Sequence, residues 1–370
     1  RARDLADLGG SADAGGLTGR NLIINGAMTV AQRGTSATDV GASNNVFPCV
    51  DRMKVFAGNT AGRATMSQVA DGPDGFANSL KFECTTEDTT IAAGENFGIL
   101  HILEGQDLQH LKKGTSNAES LTLSFYVKGN ASATYTVEMK DNDNDRINTQ
   151  KFDVTTSWNR VSLTFVPDTT GALDDDNLGS FQFAIWLHAG SDFTDGTFAS
   201  NTWAARTSGN RVYPTQTSFF DSTDRTFFIT GIQLEVGETA TPFEHRSFGD
   251  ELARCQRYLP AWVADNVNSR LPGAGIAGAN NTIYLTLIHS VETRVKPTGV
   301  VVSAESHWAG GVDGIVANNA MGSISYGLSS TYATRLTCTV ASGTPYTVGH
   351  PAYIEGINTS GLIYLTGCEL

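Results

Sequence analysis

Apolar and polar residues alternate along most of the chain between residues 51 and 236. In residues 121–127, Leu121, Leu123 and Phe125 fall on one face of an extended chain, and the pattern recurs through residues 181–188. A period of two with one apolar face is typical of antiparallel strands that are half buried against a second sheet. Separated by Gly, Asn and Asp clusters, the predicted strands are residues 54–56, 80–84, 97–103, 121–127, 135–139, 151–154, 160–165, 181–188 and 227–235.

These strand segments follow one another without a helical segment between them, which favours two stacked sheets. We therefore predict an all-β chain whose residues 21–247 form a β-sandwich of the jelly-roll type. Residues 21–34 are expected to open this domain with a strand-like run, broken by a turn at Asn25-Gly26.

Helical periodicity is clear in residues 248–260. Phe248, Leu252 and Cys255 recur at the spacing of one helix face. Ser247 precedes the segment as a cap, and Pro260 ends it. The segment is predicted as a short helix that connects two β-rich domains.

The ends of the chain complete the domain prediction. Residues 261–370 carry strand-like runs between small-residue loops, and we predict a smaller β-sandwich or open barrel whose thin core favours association with copies of itself. Residues 1–20 are rich in Gly, Ala and Asp and are interpreted as a linker or the end of a stalk. Because the chain begins without Met, we expect it to be part of a longer protein.

Composition narrows the classes of partner. The chain has 370 residues, of which 40% are hydrophobic and 17% charged, and its net charge is -13. That charge argues against nucleic acid and anionic membrane surfaces as primary partners. The sequence contains neither an apolar run long enough to span a membrane nor a recognisable secretory signal.

The cysteines are odd in number and widely spaced, without a CxxC pair or a His-rich tract. This pattern argues against a zinc site or a disulfide framework. We predict buried or free thiols, while a Cys49–Cys84 bridge stays open. The cysteines are Cys49, Cys84, Cys255, Cys338 and Cys368.

Residues 229–246 read ITGIQLEVGETATPFEHR, and CQRY follows at residues 255–258. Residues 21–36 read NLIINGAMTVAQRGTS, and residues 155–171 read TTSWNRVSLTFVPDTTG. Together these segments resemble phage tail-fibre and receptor-binding virion proteins that contain a carbohydrate-binding-module-like jelly roll. The resemblance covers roughly residues 20–260, and the C-terminal unit resembles the tips of that family only loosely.

The resemblance implies a homotrimeric fibre in the virion tail, made in the host cytoplasm and joined to other tail proteins through a preceding N-terminal part. It implies attachment to a host-surface glycan or outer-membrane receptor. The sequence carries neither a recognisable nucleophile motif nor a phosphate-binding loop, so we expect no catalytic residues and, apart from a possible structural calcium ion, no cofactor. An architectural virion protein without a receptor site stays an alternative, as does a capsule-degrading tailspike. A cellular carbohydrate-binding module attached to an enzyme is disfavoured.

Aromatic side chains are the candidate receptor contacts, because the apolar face of a sugar stacks on a flat ring. Trp158 and Trp186 lie in or beside predicted strands and are interpreted as packing residues. The predicted receptor or glycan contacts, which lie in or near polar loops, are Trp308, Tyr326, Tyr332 and Trp203. For Trp308, Tyr326 and Tyr332, the competing interpretation is that they seal subunit interfaces.

Acidic loops supply the remaining candidate chemistry. Asp141, Asp143 and Asp145 have calcium-loop spacing, but Arg146 stands where an EF-hand needs Gly. An EF-hand is therefore rejected, while a less regular structural calcium site stays open beside the interpretation of a polar hairpin tip. The same acids, with the run at residues 174–176, are the carboxylates that a tailspike would use.

Overall fold

The computed structural model describes residues 19–43, 45–198, 200–312, 316–343 and 345–370, with the backbone alone at residues 316–318. The predicted linker therefore lies almost wholly outside the described residues. The chain divides into two compact units, the first ending at Glu251 and the second running from Leu252 to Glu369, with Leu370 grouped in the first. No helix of the described part is long and apolar enough to cross a membrane.

The first unit is the predicted β-sandwich, built from a six-stranded and a seven-stranded antiparallel sheet. The sheet orders are β1-β4-β5-β13-β7-β10 and β12-β9-β8-β11-β6-β3-β2. Its strands are β1 Ser36–Gly41, β2 Asn45–Val46, β3 Lys54–Gly58, β4 Arg63–Val69, β5 Ser79–Thr86, β6 Asn96–Glu104, β7 Leu121–Gly129, β8 Ala133–Asp141, β9 Arg146–Val154, β10 Asn159–Phe165, β11 Gly179–Ala189, β12 Ala204–Ala205 and β13 Thr226–Val236.

Short helical turns lie in the connections of this unit. They are the α-helix Ser191–Thr194 and the 3-10 turns Gly105–Asp107, Gln109–Leu111, Ser208–Asn210 and Phe219–Asp221.

The core of the first unit lies between the two sheets and contains the alternate residues predicted to face inward. Leu123 and Phe125 from one sheet and Phe183 from the other are fully buried in a single cluster. Burying each of these side chains contributes roughly 1.5–3 kcal/mol. The all-β class and the sandwich are thus confirmed.

The strand-like run predicted at residues 21–34 is wrong, because this segment has no strand. The predicted turn is present, with Asn25 at φ 63°. The Asn25 side chain donates to Val30 O at 2.8 Å and to Asp51 O at 2.9 Å. These bonds fold the segment back on itself. Its backbone bonds to β13 run from Leu22 N to Leu234 O and from Ile232 N to Gly26 O, at 2.9 Å each.

The predicted helix spans Phe248–Gln256, shorter than residues 248–260. Ser247 caps it as expected, since its Oγ accepts from Asp250 N at 3.2 Å. Phe248 is 62% exposed, so its place in the apolar stripe is wrong. The first turn is held instead by Glu251, whose Oε1 accepts from Asn25 N at 2.6 Å.

The second unit contains a closed six-stranded barrel, β15-β16-β20-β19-β18-β21, and a three-stranded sheet, β14-β22-β17. Its core is one cluster that includes Ile283, Leu336 and Ile354. Its strands are β14 Ala261–Val263, β15 Gly273–Ala279, β16 Thr282–Ile288, β17 Gly299–Val302, β18 Trp308–Val312, β19 Val316–Ser329, β20 Ala333–Val340, β21 Pro351–Gly356 and β22 Leu362–Thr366, with a 3-10 turn at Glu305–His307.

Small residues close this barrel, where the sequence predicted loops and an open barrel or sandwich. The predicted loop at residues 274–281 is largely strand β15, whose Gly275 pairs with Ala352 of β21. A Cβ at Gly275 would lie 2.4 Å from Ala352 O, so only glycine allows the two backbones to approach this closely. The predicted loop at residues 309–322 likewise falls mostly in β18 and β19.

All cysteines are buried and free, which confirms the prediction of unpaired thiols. Cys49 and Cys84 do not form the bridge that had stayed open. Burial raises the pKa of the Cys49 thiol to about 11, so it is neutral at ordinary pH.

Candidate functional site

Three loops of the first unit meet at one end of the sandwich. They connect β6 to β7, β8 to β9 and β10 to β11, and consecutive antiparallel strands bring all three to the same end. Gly105 packs closely against the third loop, since a Cβ there would lie 2.0 Å from Asp174 O. Gln106 N donates to Asp176 O at 2.8 Å, which ties the first loop to the third.

Lys113 is the centre of this end of the sandwich. Its Nζ donates to Asp141 Oδ2 at 2.5 Å and lies 3.1 Å from Asp168 Oδ2. It also donates to the backbone oxygens of Thr170 and Gly171, at 2.9 Å each. Since the Lys113 side chain is only 6% exposed, this ammonium is buried with a full set of acceptors.

A second cation completes the network. Arg146 binds Asp168 through two bonds, Nε to Oδ2 at 2.8 Å and Nη2 to Oδ1 at 3.0 Å. Burial alone would raise the pKa of Asp168, but the hydrogen bonds from Arg146 and Lys113 outweigh it and lower that pKa. Two cations therefore face the two carboxylates of Asp141 and Asp168, and the charges balance.

An open cleft of about 390 Å³ lies beside this network, within the usual size range for ligand pockets. The buried side chains Leu108 and Leu173 form its apolar floor. The exposed lining residues form its rim, which carries amide, hydroxyl and ammonium groups. Gln109 holds one wall in place, because its Nε2 donates to Gly105 O at 3.1 Å and to Asp174 O at 3.2 Å. The lining residues are Leu108, Gln109, Lys112, Lys113, Thr115, Asn117, Ala172 and Leu173.

Trp203, a predicted glycan contact, lies against the same network. Its ring centroid is 5.8 Å from Lys113 Nζ and 6.0 Å from the ring of Phe181. Its Nε1 donates to Val166 O at 2.8 Å. The ring is half buried, so one part packs on the core while the other lines a small cavity beside Lys113.

The structure gives the three acids of the predicted calcium site separate partners. Asp141 binds Lys113, Asp143 Oδ2 accepts from the backbone of Asp174 at 2.9 Å, and Asp145 binds Arg206 at 2.6 Å. Among the described residues they are not one of the groups of carboxylates and histidines close enough to share an ion. Asp141 thus belongs to a buried ion pair and the other two acids to a polar hairpin tip, while a structural calcium ion stays a prediction.

The predicted aromatic contacts of the second unit fall in three environments. Trp308 is fully buried in the core of this unit, so its assignment as a receptor contact is wrong. Tyr326 is half buried, and its hydroxyl lies 2.5 Å from Pro297 O and 2.6 Å from Ser329 Oγ. Tyr332 is 61% exposed and stays a prediction.

The sequence reasoning assigned Trp158 to packing and missed the surface around it. On the outer face of the six-stranded sheet, Lys128 Nζ lies 5.0 Å from the Trp158 ring centroid and 4.8 Å from that of Phe228. Asp71 accepts from Lys128 at 2.7 Å and from Trp158 Nε1 at 3.3 Å. The hydrogen bond from Lys128 lowers the pKa of Asp71. The outward positions of β7 and β13 were the signal that could have revealed this surface.

Comparison with known proteins gives one family match. Residues 88–186 match a family model described as a carbohydrate binding domain. No curated protein sequence matches the chain.

Solved structures that match part of the chain include carbohydrate-binding modules and a phage protein. TmCBM61 in complex with β-1,4-galactotriose is 9% identical with a TM-score of 0.30, and the match covers 59% of this chain and 99% of that one. A family 11 carbohydrate-binding module from Clostridium thermocellum is 12% identical with a TM-score of 0.27, covering 54% of this chain and 95% of that one.

The phage structure is the enzymatically active domain of bacteriophage CBA120 tailspike protein 4. It is 8% identical with a TM-score of 0.30, and the match covers 58% of this chain. The chain spans only 21% of the length of that tailspike domain. The segment matched by the carbohydrate binding domain family contains every residue that lines the cleft at the end of the sandwich.

Proposed function

We propose that this chain is the receptor-binding part of a phage tail fibre and that it attaches the virion to a host-surface glycan through the cleft beside Lys113. The observation that carries the proposal is that the cleft is built wholly from the segment that matches a carbohydrate binding domain. The resemblance of residues 229–246 to tail-fibre proteins supplies the virion context.

The chemistry of the cleft suits a hydroxyl-rich ligand. Thr115, Asn117 and Lys112 offer a hydroxyl, an amide and an ammonium group along its rim, above the apolar floor of Leu108 and Leu173. Sugars present both hydroxyl groups and apolar C–H faces, which these two kinds of lining can bind. The buried network below holds the loops in one arrangement, so little ordering is required when a ligand binds.

Strong attachment would come from repetition of weak sites. A single sugar site of about millimolar affinity contributes only about 4 kcal/mol of binding free energy. We propose a homotrimeric fibre, so that several sites act together and raise the apparent affinity. The second unit supports self-association, because it exposes the apolar side chains Val263, Val267, Ile276, Ile288, Val301, Leu328, Tyr332, Val348 and Ile357.

The proposed function is binding without catalysis. A glycosidase needs one carboxyl group with a raised pKa as general acid. In the cleft region, the pKa of Asp168 is lowered instead, and Asp141 accepts a hydrogen bond from a buried ammonium. Both groups therefore support the walls of the site.

The test measures binding of the full chain to intact host cells and to an array of bacterial surface glycans. The variant K112A/N117A removes two exposed rim groups, and we expect at least a tenfold loss of affinity, which corresponds to about 1.4 kcal/mol. K151A is the matched control, since it removes an exposed lysine of β9 that does not line the cleft.

The outcomes separate the alternatives. Binding that is unchanged in K112A/N117A would move the site away from the cleft. A full chain that binds neither cells nor any glycan would favour the architectural virion protein. Release of reducing sugar ends from host polysaccharide would favour a tailspike enzyme.

A further inference from the structure

Asp88, Glu95 and His188 converge at the end of the sandwich opposite the cleft. Asp88 and Glu95 lie in the connection between β5 and β6, and His188 lies near the end of β11. One side-chain ligand atom from each residue lies within 4.8 Å of the others. Asp88 and Glu95 are each 6% exposed and His188 is fully buried, so all three groups are shielded from water.

Hydrogen bonds orient His188 toward the two carboxylates. Its Nδ1 lies 2.8 Å from Ser218 Oγ, and that Oγ accepts from Phe220 N at 3.1 Å. When Nδ1 carries the proton and donates to Ser218, the lone pair of Nε2 points into the cluster. Nε2 lies 3.5 Å from Glu95 Oε2 and has no hydrogen-bond partner. A fully buried, unpartnered ring nitrogen is thus aimed at two carboxylates.

The charges of this cluster do not balance. Asp88 Oδ2 accepts from the Thr60 hydroxyl and from Ala61 N, at 2.8 Å each, and Glu95 Oε2 accepts from Ala92 N at 2.9 Å. All three donors are neutral. In the part of the chain that the structure describes, neither carboxylate forms an ion pair with a lysine or arginine.

The two carboxylates lie close together in a region shielded from water, and only neutral groups donate hydrogen bonds to them. Buried carboxylates are normally paired with a cation or bound to a metal ion.

We propose that Asp88, Glu95 and His188 bind a divalent transition-metal ion, with Zn²⁺ as the ion that fits this donor set. In tetrahedral geometry, zinc binds imidazole nitrogen and carboxylate oxygen at about 2.0–2.2 Å, which places its ligands roughly 3.3–3.6 Å apart. His188 Nε2 and Glu95 Oε2 already have this spacing, at 3.5 Å, and all three ligand atoms lie within 4.8 Å of one another. Calcium takes oxygen ligands, so the orientation of His188 toward the cluster argues for the transition metal.

The ion would join three segments of the sandwich. Asp88 and Glu95 belong to the connection between β5 and β6, and His188 belongs to the seven-stranded sheet. Thr60, in the connection between β3 and β4, donates a hydrogen bond to Asp88. Binding at this site therefore stabilises the fold, and it does not depend on glycan binding at the other end of the sandwich.

The experiment uses the full chain, treated with EDTA and then desalted. ZnCl₂, CaCl₂ and MgCl₂ are added separately, and the melting temperature is measured together with zinc stoichiometry by competition with a chromophoric chelator. We expect one zinc per chain and a rise in melting temperature of about 3–6 °C when free zinc reaches about ten times its dissociation constant.

The variants test each donor. H188Q keeps a polar side chain but removes the ring nitrogen, and we expect at least a tenfold loss of zinc affinity. E95Q changes the charge with almost no change in shape and should weaken zinc binding in the same direction, even if H188Q fails to fold. S218A removes the hydroxyl that orients the ring, and we expect a loss of about tenfold. H289Q, which changes a buried histidine outside the cluster, is the control and should bind zinc as the unmodified chain does.

Three results would overturn the proposal. The first is zinc binding of equal affinity in H188Q and E95Q, which would place the ion elsewhere. The second is stabilisation by calcium that H188Q leaves unchanged, which would indicate a site of oxygen ligands alone. The third is the absence of a melting-temperature response to zinc in the unmodified chain.

Discussion

The first unit contains two buried polar clusters, one at each end of the sandwich, and they differ in charge balance. At the cleft end, Lys113 and Arg146 face the carboxylates of Asp141 and Asp168, and the groups are linked by short hydrogen bonds. At the opposite end, two carboxylates face His188, and neither forms an ion pair with a lysine or arginine among the described residues. The strands β6 and β11 run from one cluster to the other.

This difference separates a supporting role from a binding role. A cluster whose charges and hydrogen bonds are satisfied internally holds loops in place and leaves no group free to bind a partner. A cluster with excess negative charge and an unpartnered ring nitrogen is completed when a cation binds. Burial and acidity alone therefore do not mark a binding site, because both clusters have them.

The cluster at the cleft end, in which Lys113 and Arg146 face Asp141 and Asp168, is called the balanced cluster. The largest expected effect is the loss of its Lys113 ammonium group. K113M should lower the free energy of unfolding by about 3–5 kcal/mol, because it leaves Asp141 and Asp168 buried without their shared ammonium. Urea denaturation measures this change. K112M is the matched control, since the neighbouring Lys112 side chain is 50% exposed and pairs with Glu119 on the surface; its effect should be about 0–1 kcal/mol. Equal effects of the two variants would contradict the role of Lys113.

Acid should act next most strongly on the same cluster. The pKa of Asp168 is lowered in the folded chain, so its contribution to stability is complete above the ordinary aspartate value of about 3.9 and is lost as pH falls through the folded value. We therefore expect the stability difference between the unmodified chain and D168N to be largest near neutral pH and to shrink as pH falls below about 4. Denaturation over this range checks it, and a difference that grows on acidification would be inconsistent with the shift.

The strands of the first unit were predictable because each carries its own signal, an alternation that buries one face. The long strands β7 and β11 were recognised, whereas β4 was missed because its sequence RATMSQV places only Ala64 and Met66 in the core. Closure of the barrel was also missed. Gly275 is needed because the backbone of Ala352 packs directly against it. Ala352 lies far along the chain, so the local sequence around Gly275 does not reveal this contact.

The candidate sites were less predictable for the same physical reason. Asp141, Asp143 and Asp145 share a spacing, but their partners Lys113, Asp174 and Arg206 come from other segments and decide their roles. Trp203 was identified as a candidate because it lies in a polar stretch, and the structure places it beside the cleft network. The local sequence gives no indication that His188 belongs to a metal site. The alternation in β11 predicts only that its side chain lies on the outer face of the sheet.

Removal of a negative charge should raise the stability of the chain at the cluster of Asp88, Glu95 and His188, called the unbalanced cluster. The same change should lower the stability at the balanced cluster. In metal-free protein, E95Q removes one of two buried negative charges, and we expect stability to rise by on the order of 1 kcal/mol. D141N, at the balanced cluster, should destabilise the chain under the same conditions, because it removes the charge of one of the two carboxylates that bind Lys113. Urea denaturation in EDTA measures both. A destabilised E95Q in the absence of metal would show that the cluster is already complete.

The smallest expected effect comes from Asp145, the last residue of the loop that follows Asp141 and the end of β8. Its side chain is 54% exposed and pairs with Arg206, which is itself 33% exposed. The hydrogen bond from Arg206 lowers the pKa of Asp145, but solvent screens this surface pair. D145N should therefore change the free energy of unfolding by less than about 1 kcal/mol, while D141N, four positions away, should cost several times more. The two acids are the first and the last residue of the DNDND run at 141–145. Equal effects would mean that membership of this run, and not burial and partners, sets their contribution.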